Sequence, residues 1–293
     1  QSMKKFAMVT SIAGIVCIVL GVVVITAASV AGASFPRIMR NQMIHYHNGR
    51  GQGYGSGDWE GAEECSFDGI TELDAEVRKG SLFIREGDTD RMNVRIADSY
   101  GRAFCRQDGN RLEIDAGEDG GRAIMDGKAK GFLDGFRSNQ HDRECQVEIT
   151  VPAGYRFESV DLDLGAGYVE ADALRADEIN LDAGAGYGEI SSLEADRMRA
   201  DVGVGYLNID QADVASLLEA DCGVGSLEMD ILGSLEDFSY EVDCSMGTVI
   251  LDGESYSGPF QNGNGDLGFP AGTGTKMMKL NCGVGSMDIS FEE

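Results

Sequence analysis

The sequence predicts an all-β protein whose main domain is a parallel β-solenoid (β-helix) with coils of about 19–22 residues. One motif, apolar-Asp-x-Gly-x-Gly followed by Tyr, Ser or Thr, recurs in six near-copies, and its Asp or Asn positions are 163, 182, 201, 221, 243 and 281. The steps between these positions are 19, 19, 20, 22 and 38 residues, so the last step is twice the first. A fixed period near twenty is typical of proteins in which each coil buries its apolar face against its neighbours.

Each copy alternates apolar and polar residues, which indicates short strands with one buried face. In the first copy, Val160, Leu162, Leu164 and Ala166 share one parity and are predicted to point inward. The equivalent inward positions in the next three copies are Ile179, Leu181, Ala183 and Ala185, then Met198, Ala200, Val202 and Val204, then Leu218, Ala220, Cys222 and Val224. A second alternating piece follows the last Gly of each copy, so stacked coils are expected to pair in parallel.

Strands are also predicted before the first clear copy. Residues 70–84 resemble a degenerate copy of the repeat, and 92–96, 111–114 and 146–152 alternate. The β-solenoid domain is therefore placed at 65–293, with irregular insertions at 116–142 and 252–275. The first insertion includes apolar residues, from Ile124 to Phe136, that could form one short amphipathic helix. The second is read as a loop excursion from one coil.

The first 64 residues are predicted to hold the chain at a membrane. Residues 7–33 carry no charge and exceed the roughly 20 apolar residues that cross a bilayer, which favours one transmembrane helix or uncleaved signal. Ala31-Gly-Ala33 leaves a cleaved signal as the alternative. Residues 1–6 are then cytoplasmic, 34–64 form a Gly-rich linker, and the bulk of this single-pass cell-membrane protein is extracytoplasmic.

Composition narrows the classes of function. The net charge is −26, and residues 151–293 contain 28 Asp or Glu against 6 Lys or Arg. Nucleic acid is therefore excluded as a partner, because phosphate binding needs a basic surface. Three histidines, at 45, 47 and 141, leave little material for His-based catalysis. The sequence thus favours a protein that is not an enzyme.

The repeated acids are the candidate metal ligands. Asp163, Asp182, Asp201, Asp221 and Asp243 are expected to form an outward column about 5 Å apart. Calcium is the possible cofactor, because it prefers hard oxygen ligands. The alternative is a column of solvated acids in turns that accept hydrogen bonds from nearby backbone.

Two further columns carry candidate chemistry. Tyr168, Tyr187 and Tyr206 could form an aromatic strip for binding sugar or protein, or a packing ladder at a turn. Cys222, Cys244 and Cys282 share one inward position and are predicted to be a core ladder. Cys222 and Cys244 are expected on adjacent coils, where a disulfide is conceivable, and one pair among Cys65, Cys105 and Cys145 could bridge outside the cell.

The segment 147–154 (Val-Glu-Ile-Thr-Val-Pro-Ala-Gly), followed by the repeats, resembles the bacterial family of membrane-anchored β-solenoid domains known as putative adhesins. The resemblance covers about 65–293 and implies an adhesin-like module that binds an envelope glycan or protein, with no catalytic residues. The alternatives are a self-assembling bactofilin-like scaffold, an accessory sensor in envelope-stress signalling and a polysaccharide-active solenoid enzyme. The acidic ending 288–293 argues against the scaffold, because it would blunt an exposed edge.

Overall fold

The computed structural model describes residues 62–97, 103–116, 145–257, 260–261 and 272–292. The regular structure in these ranges is β-strand, apart from one 3-10 turn at Leu235–Asp237. The predicted all-β class is therefore confirmed. The strands, in chain order, are β1 (Glu63–Phe67), β2 (Glu72–Val77), β3 (Ser81–Gly87), β4 (Met92–Ala97), β5 (Ala103–Asp108), β6 (Arg111–Ala116), β7 (Gln146–Pro152), β8 (Phe157–Asp163), β9 (Tyr168–Ala171), β10 (Leu174–Ala183), β11 (Tyr187–Ile190), β12 (Leu193–Val202), β13 (Tyr206–Cys222), β14 (Ser226–Leu232), β15 (Phe238–Cys244), β16 (Thr248–Leu251), β17 (Glu254–Ser257), β18 (Phe260–Gln261), β19 (Lys276–Cys282) and β20 (Ser286–Glu292).

These strands form two ladders. Ladder A runs β5, β6, β2, β8, β10, β12, the second half of β13, β19, β15 and β18. Ladder B runs β1, β4, β7, β3, β9, β11, the first half of β13, β14, β20, β16 and β17. Because β13 passes from ladder B into ladder A without a break, the ladders are parts of one curled sheet of twenty strands.

The pairing is parallel through the middle of both ladders and antiparallel at their ends. Strands β1, β4 and β5 pair antiparallel at one end, and β17 and β18 do so at the other. Between them, equal positions of successive copies lie side by side, as in the register Leu162–Leu181–Ala200–Ala220. The predicted parallel stacking of the repeats is therefore confirmed.

The order of the coils in space differs from their order in the chain. The last coil, β19–β20, lies between the coil β13–β14 and the coil β15–β16. The expected adjacency of Cys222 and Cys244 is therefore wrong, because Cys282 lies between them and pairs in register with both. The acidic ending is likewise not at an edge, since β20 has a parallel neighbour on each side. The argument from that ending against end-to-end assembly no longer applies.

One apolar core fills the inside of the curled sheet. Its columns match most of the inward positions predicted from the sequence, and the column Leu162, Leu181, Ala200, Ala220, Leu280 and Val242 is at most 3% exposed throughout. Burying one such Leu or Val stabilises a fold by roughly 1.5–3 kcal/mol. Since every coil adds a layer of these residues, stability comes from neighbouring coils rather than from any single repeat.

The predicted alternation fails at the corner between the ladders. Ala166 and Ala185 are exposed, Val204 is 56% exposed and Val224 is 36% exposed, although all four were expected inside. The chain bends through the Gly-x-Gly segment, so the residue between the glycines turns toward solvent. Backbone pairing between coils continues through this bend, as in the bond from Val204 N–H to the Gly184 carbonyl (2.7 Å).

The glycines of the motif are required by close packing of backbones. A Cβ on Gly205 would lie 2.4 Å from the Gly186 carbonyl oxygen, and a Cβ on Gly225 would lie 2.3 Å from that of Gly205. Neither glycine has a positive φ. The second glycine of each copy therefore lets one coil rest directly on the next.

Two predictions concern residues outside the described ranges: the membrane segment 7–33 and the short helix within 116–142. Among the residues that the structure does describe, no helix has the length and apolar character needed to span a membrane.

Candidate functional site

The structure brings the five predicted acids together in one column of ladder A. Asp163, Asp182, Asp201 and Asp221 lie side by side in successive strands. Asn281 comes next, and Asp243 follows it on the far side. The amide therefore separates the fifth acid of the column from the first four.

Partners that the sequence reasoning missed hold part of this column. The Arg199 guanidinium lies 2.8 Å from an Asp201 carboxylate oxygen and 3.7 Å from one of Asp221. The Asn281 amide nitrogen donates to Asp221 at 2.8 Å. The sequence offered a signal for Arg199, which stands two positions before Asp201 and therefore on the same face of the strand.

Most of the other basic side chains of 151–293 also pair with carboxylates. Arg156 contacts three carboxylates, those of Asp177, Glu194 and Asp196, at 2.8–2.9 Å. Arg175, Arg197 and Lys279 each contact at least one Glu, and Lys276 lies over the Phe238 ring. Each exposed ion pair stabilises the fold by about 0–1 kcal/mol. Their main effect is to reduce the repulsion between carboxylates on neighbouring coils.

The first acid of the column, Asp163, has a raised pKa. Burial raises the pKa of Asp163 above its ordinary value of 3.8, and the negative charges of Asp182 and Glu76 raise it further. The Arg78 guanidinium opposes this increase. In the described residues no group of three or more His, Cys, Asp or Glu is arranged to hold a metal ion. A calcium site on this column stays a prediction from the sequence.

We expect Asp163→Asn to raise the free energy of unfolding at neutral pH by about 0.5 kcal/mol. The raised pKa means that the folded state disfavours the ionised carboxylate, so stability falls as pH rises from 3.8 through the folded-state pKa. An amide removes this penalty, and Asp163 is exposed enough that screening keeps the gain small. Denaturant titrations at several pH values measure it.

The gain from Asp163→Asn is expected to vanish below pH 3.8, where the carboxyl is protonated in the folded and the unfolded chain. Asp213→Asn is the matched control, since it removes one negative charge from an exposed site outside the acidic column, on β13. An equal gain in both variants would show that only net charge matters.

A shallow groove follows the acidic column along the corner of the stack. This corner groove has a volume of about 540 Å³, and its acidic wall consists of Asp182, Asp201, Asp221 and Asp243. Its floor includes the backbone of Gly203, Gly223 and Gly283. Such a groove can contact an extended partner along its length, whereas a catalytic pocket encloses its substrate.

A column of apolar side chains, exposed except for the half-buried Val284, runs along the same corner. We call it the corner ridge, and its members, in spatial order, are Ala166, Ala185, Val204, Val224, Val284 and Met246. Met246 is 64% exposed. The ridge therefore presents apolar side chains in line, one per coil, next to the acidic wall of the groove.

The three predicted tyrosines form a stacked column on ladder B. The ring centroids of Tyr168 and Tyr187 are 5.6 Å apart, and those of Tyr187 and Tyr206 are 4.9 Å apart. Tyr187 is 8% exposed and Tyr206 is 4% exposed. Their ring faces cover one another, so a sugar could not stack on Tyr187 without separating the column.

The phenol groups of this column are held by carboxylates on the same face. Tyr187 donates to Glu189 at 2.6 Å, and Tyr206 donates to Glu228 at 2.9 Å. Burial, followed by these carboxylates, raises the pKa of Tyr187 far above its ordinary range. The Tyr187 phenol is therefore a protonated donor at physiological pH.

The three repeated cysteines form a buried column, in the order Cys222, Cys282 and Cys244. Their exposures are 3%, 3% and 0%, respectively. Hydrogen bonding to Cys222, with burial, raises the pKa of Cys282 far above its ordinary value. Neutral buried thiols behave as small apolar side chains, as expected of a core ladder.

Comparison with known proteins gives a family match and several similar folds. The model of a family described as Toastrack DUF4097 matches residues 70–293. A "putative cell adhesion protein" from Clostridium sporogenes is similar in structure, with 13% identity, 79% of this chain and 99% of that chain covered, and a TM-score of 0.38. A "putative adhesin" from Bacteroides fragilis has 13% identity, coverage of 78% and 95%, and a TM-score of 0.36. A "putative lipid binding protein" from Parabacteroides distasonis has 14% identity, the same coverage and a TM-score of 0.30. No curated protein sequence matches.

Proposed function

The chain belongs to the Toastrack DUF4097 family, and from its outer surface we propose that it is a non-enzymatic, adhesin-like binding module of the cell envelope. In this proposal residues 7–33 anchor it in the membrane, and the stacked coils form a solenoid wall outside the cytoplasm. Its partner is an envelope glycan or protein.

The observation that carries the proposal is the pairing of the corner ridge with the corner groove. Exposed apolar side chains in line are typical of a surface that contacts another molecule. Val204, Val224 and Met246 supply the ridge, and the acidic wall beside them favours a partner with cationic groups. An elongated surface of this kind suits a polymer or an extended chain segment.

Binding can be tested with the full chain in lipid nanodiscs on two named sets of probes: an array of bacterial envelope glycans and a series of extended lysine-rich peptides. The ridge variant combines Val204→Ser, Val224→Ser and Met246→Ser. We expect any probe that binds the wild type to bind this variant at least tenfold more weakly, since three apolar contacts are lost.

Leu232→Ser is the matched control, because Leu232 is 38% exposed but lies at the end of β14, away from the corner. It should bind like the wild type. A probe that binds the ridge variant as tightly as the wild type would place the binding surface elsewhere, and Tyr168→Phe would then test the edge of the tyrosine column.

A further inference from the structure

Two thiols meet at the end of the stack formed by β1 and β5. Cys65 lies on β1, the first strand of ladder B, and Cys105 lies on β5, the first strand of ladder A. Each of these strands has one neighbour, β4 or β6. The Cys65 thiol is a close enough neighbour of Cys105 to raise the pKa of the Cys105 thiol, and both residues are half-buried.

Register shows that these thiols close the end of the apolar core. Cys65 pairs with Val94, and Cys105 pairs with Ile114. Val94 and Ile114 are 0% and 2% exposed. The Cys105 side chain packs against the core cluster as well. The contact therefore joins the two ladders at an end of the stack, where each ladder finishes in a strand that is paired on a single side.

The other described cysteines differ from this pair in access. Cys145, Cys222, Cys244 and Cys282 are all buried, and the last three lie within the parallel part of ladder A. Contact between two thiols and access for an oxidant occur together, within the described ranges, at Cys65 and Cys105.

We propose that Cys65 and Cys105 form a disulfide that staples β1 to β5 and closes this end of the stack. The bond would connect the ladders covalently across a loop of forty residues, which restricts the unfolded chain. It would also fix two edge strands that otherwise fray most readily. The proposal is independent of the partner that the corner ridge binds.

The oxidant is a small-molecule or protein disulfide. The Cys65 thiolate attacks one oxidant sulfur, forms a mixed disulfide and releases the other sulfur as a thiolate, which takes up a proton. Cys105 then loses its proton and attacks the Cys65 sulfur, expelling the second oxidant thiol. Two protein thiols are oxidised, and one disulfide is reduced to two thiols. Burial and the neighbouring Cys65 raise the pKa of Cys105 to about 12, which makes Cys105 the poorer first nucleophile, because the thiolate is the attacking species.

The reduced, folded full chain is equilibrated with oxidised glutathione, and the remaining thiols are then alkylated. Peptide mapping by mass spectrometry identifies the crosslinked and the alkylated cysteines. We expect a peptide pair joined through Cys65 and Cys105 that lacks two hydrogens, and amide exchange in β1 and β5 at least tenfold slower than in the reduced chain. Full alkylation of both cysteines, or a crosslink of either one to a different cysteine, would overturn the proposal.

Single variants test the order of the two steps. Cys105→Ser should accumulate glutathione on Cys65 at least tenfold more than Cys65→Ser accumulates it on Cys105. Equal labelling would contradict the assigned roles. Cys145→Ser is the control, because it removes a buried thiol and should leave the Cys65–Cys105 crosslink unchanged.

Discussion

Gly205→Ala is expected to lower the free energy of unfolding by about 3 kcal/mol. The added Cβ would lie 2.4 Å from the Gly186 carbonyl oxygen and 3.0 Å from that of Ala183. Both obstacles are backbone atoms of the neighbouring coil, so they can yield only if the spacing of the coils changes. Urea titration followed by circular dichroism measures the loss, and the melting temperature should fall by roughly 6–12 °C.

Gly188→Ala is the matched control within the same pair of coils. Its Cβ would meet Leu207 Cδ1 at 2.8 Å and Leu164 Cδ1 at 3.3 Å. These are the far ends of flexible side chains, which can rotate away, so the expected change is within about 1 kcal/mol. Similar losses in the two variants would mean that any added methyl group is costly and that coil spacing is not the cause.

Ending the chain at residue 271 is expected to unfold more than the residues that it removes. In the described structure, β15 and β16 have parallel partners only in β19 and β20, which the truncation deletes. Amide exchange in 238–251 should therefore accelerate at least a hundredfold, or about 2.7 kcal/mol. Exchange in 157–202 should change little, because those coils keep both neighbours. Hydrogen exchange with mass spectrometry reads both regions in one sample.

A peptide of residues 272–293 added to the truncated chain provides the control. It should restore protection of 238–251 by filling the vacated position. If protection of 238–251 survives truncation without the peptide, then β15 and β16 can pack directly on β13 and β14, and the last coil is not needed to hold them.

The repeat motif was sufficient to predict strands, parallel stacking and most of the core. Alternation places Leu162 and Leu181 inside because a strand turns successive side chains to opposite faces. The same rule misplaced Val204 and Val224, since it assumes an extended chain and the Gly-x-Gly segment bends. The glycine pair permits the bend, but the residue between the two glycines is as apolar as those of the core, so alternation alone does not detect its exposure.

The order of the coils could not be read from the copies themselves. Every copy of the repeat has the same backbone edges for pairing and the same pattern of apolar core positions. The repeat period therefore does not indicate which copies are neighbours in space. The 38-residue step before Asn281 was the one relevant signal, because the intervening chain is long enough to return past a coil. The contact of Asn281 with Asp221 was missed for the same reason, since it depends on that order.

The bend at each corner places the side chains of the corner ridge at a regular interval. Successive ridge side chains, from Ala166 to Met246, are separated by one strand spacing of about 4.8 Å, so six of them mark roughly 24 Å. These side chains contribute little to the core, and their identity can vary without changing the spacing. A ligand whose own repeat matches this interval would gain from many weak contacts at once, whereas one with a different repeat would engage few of them.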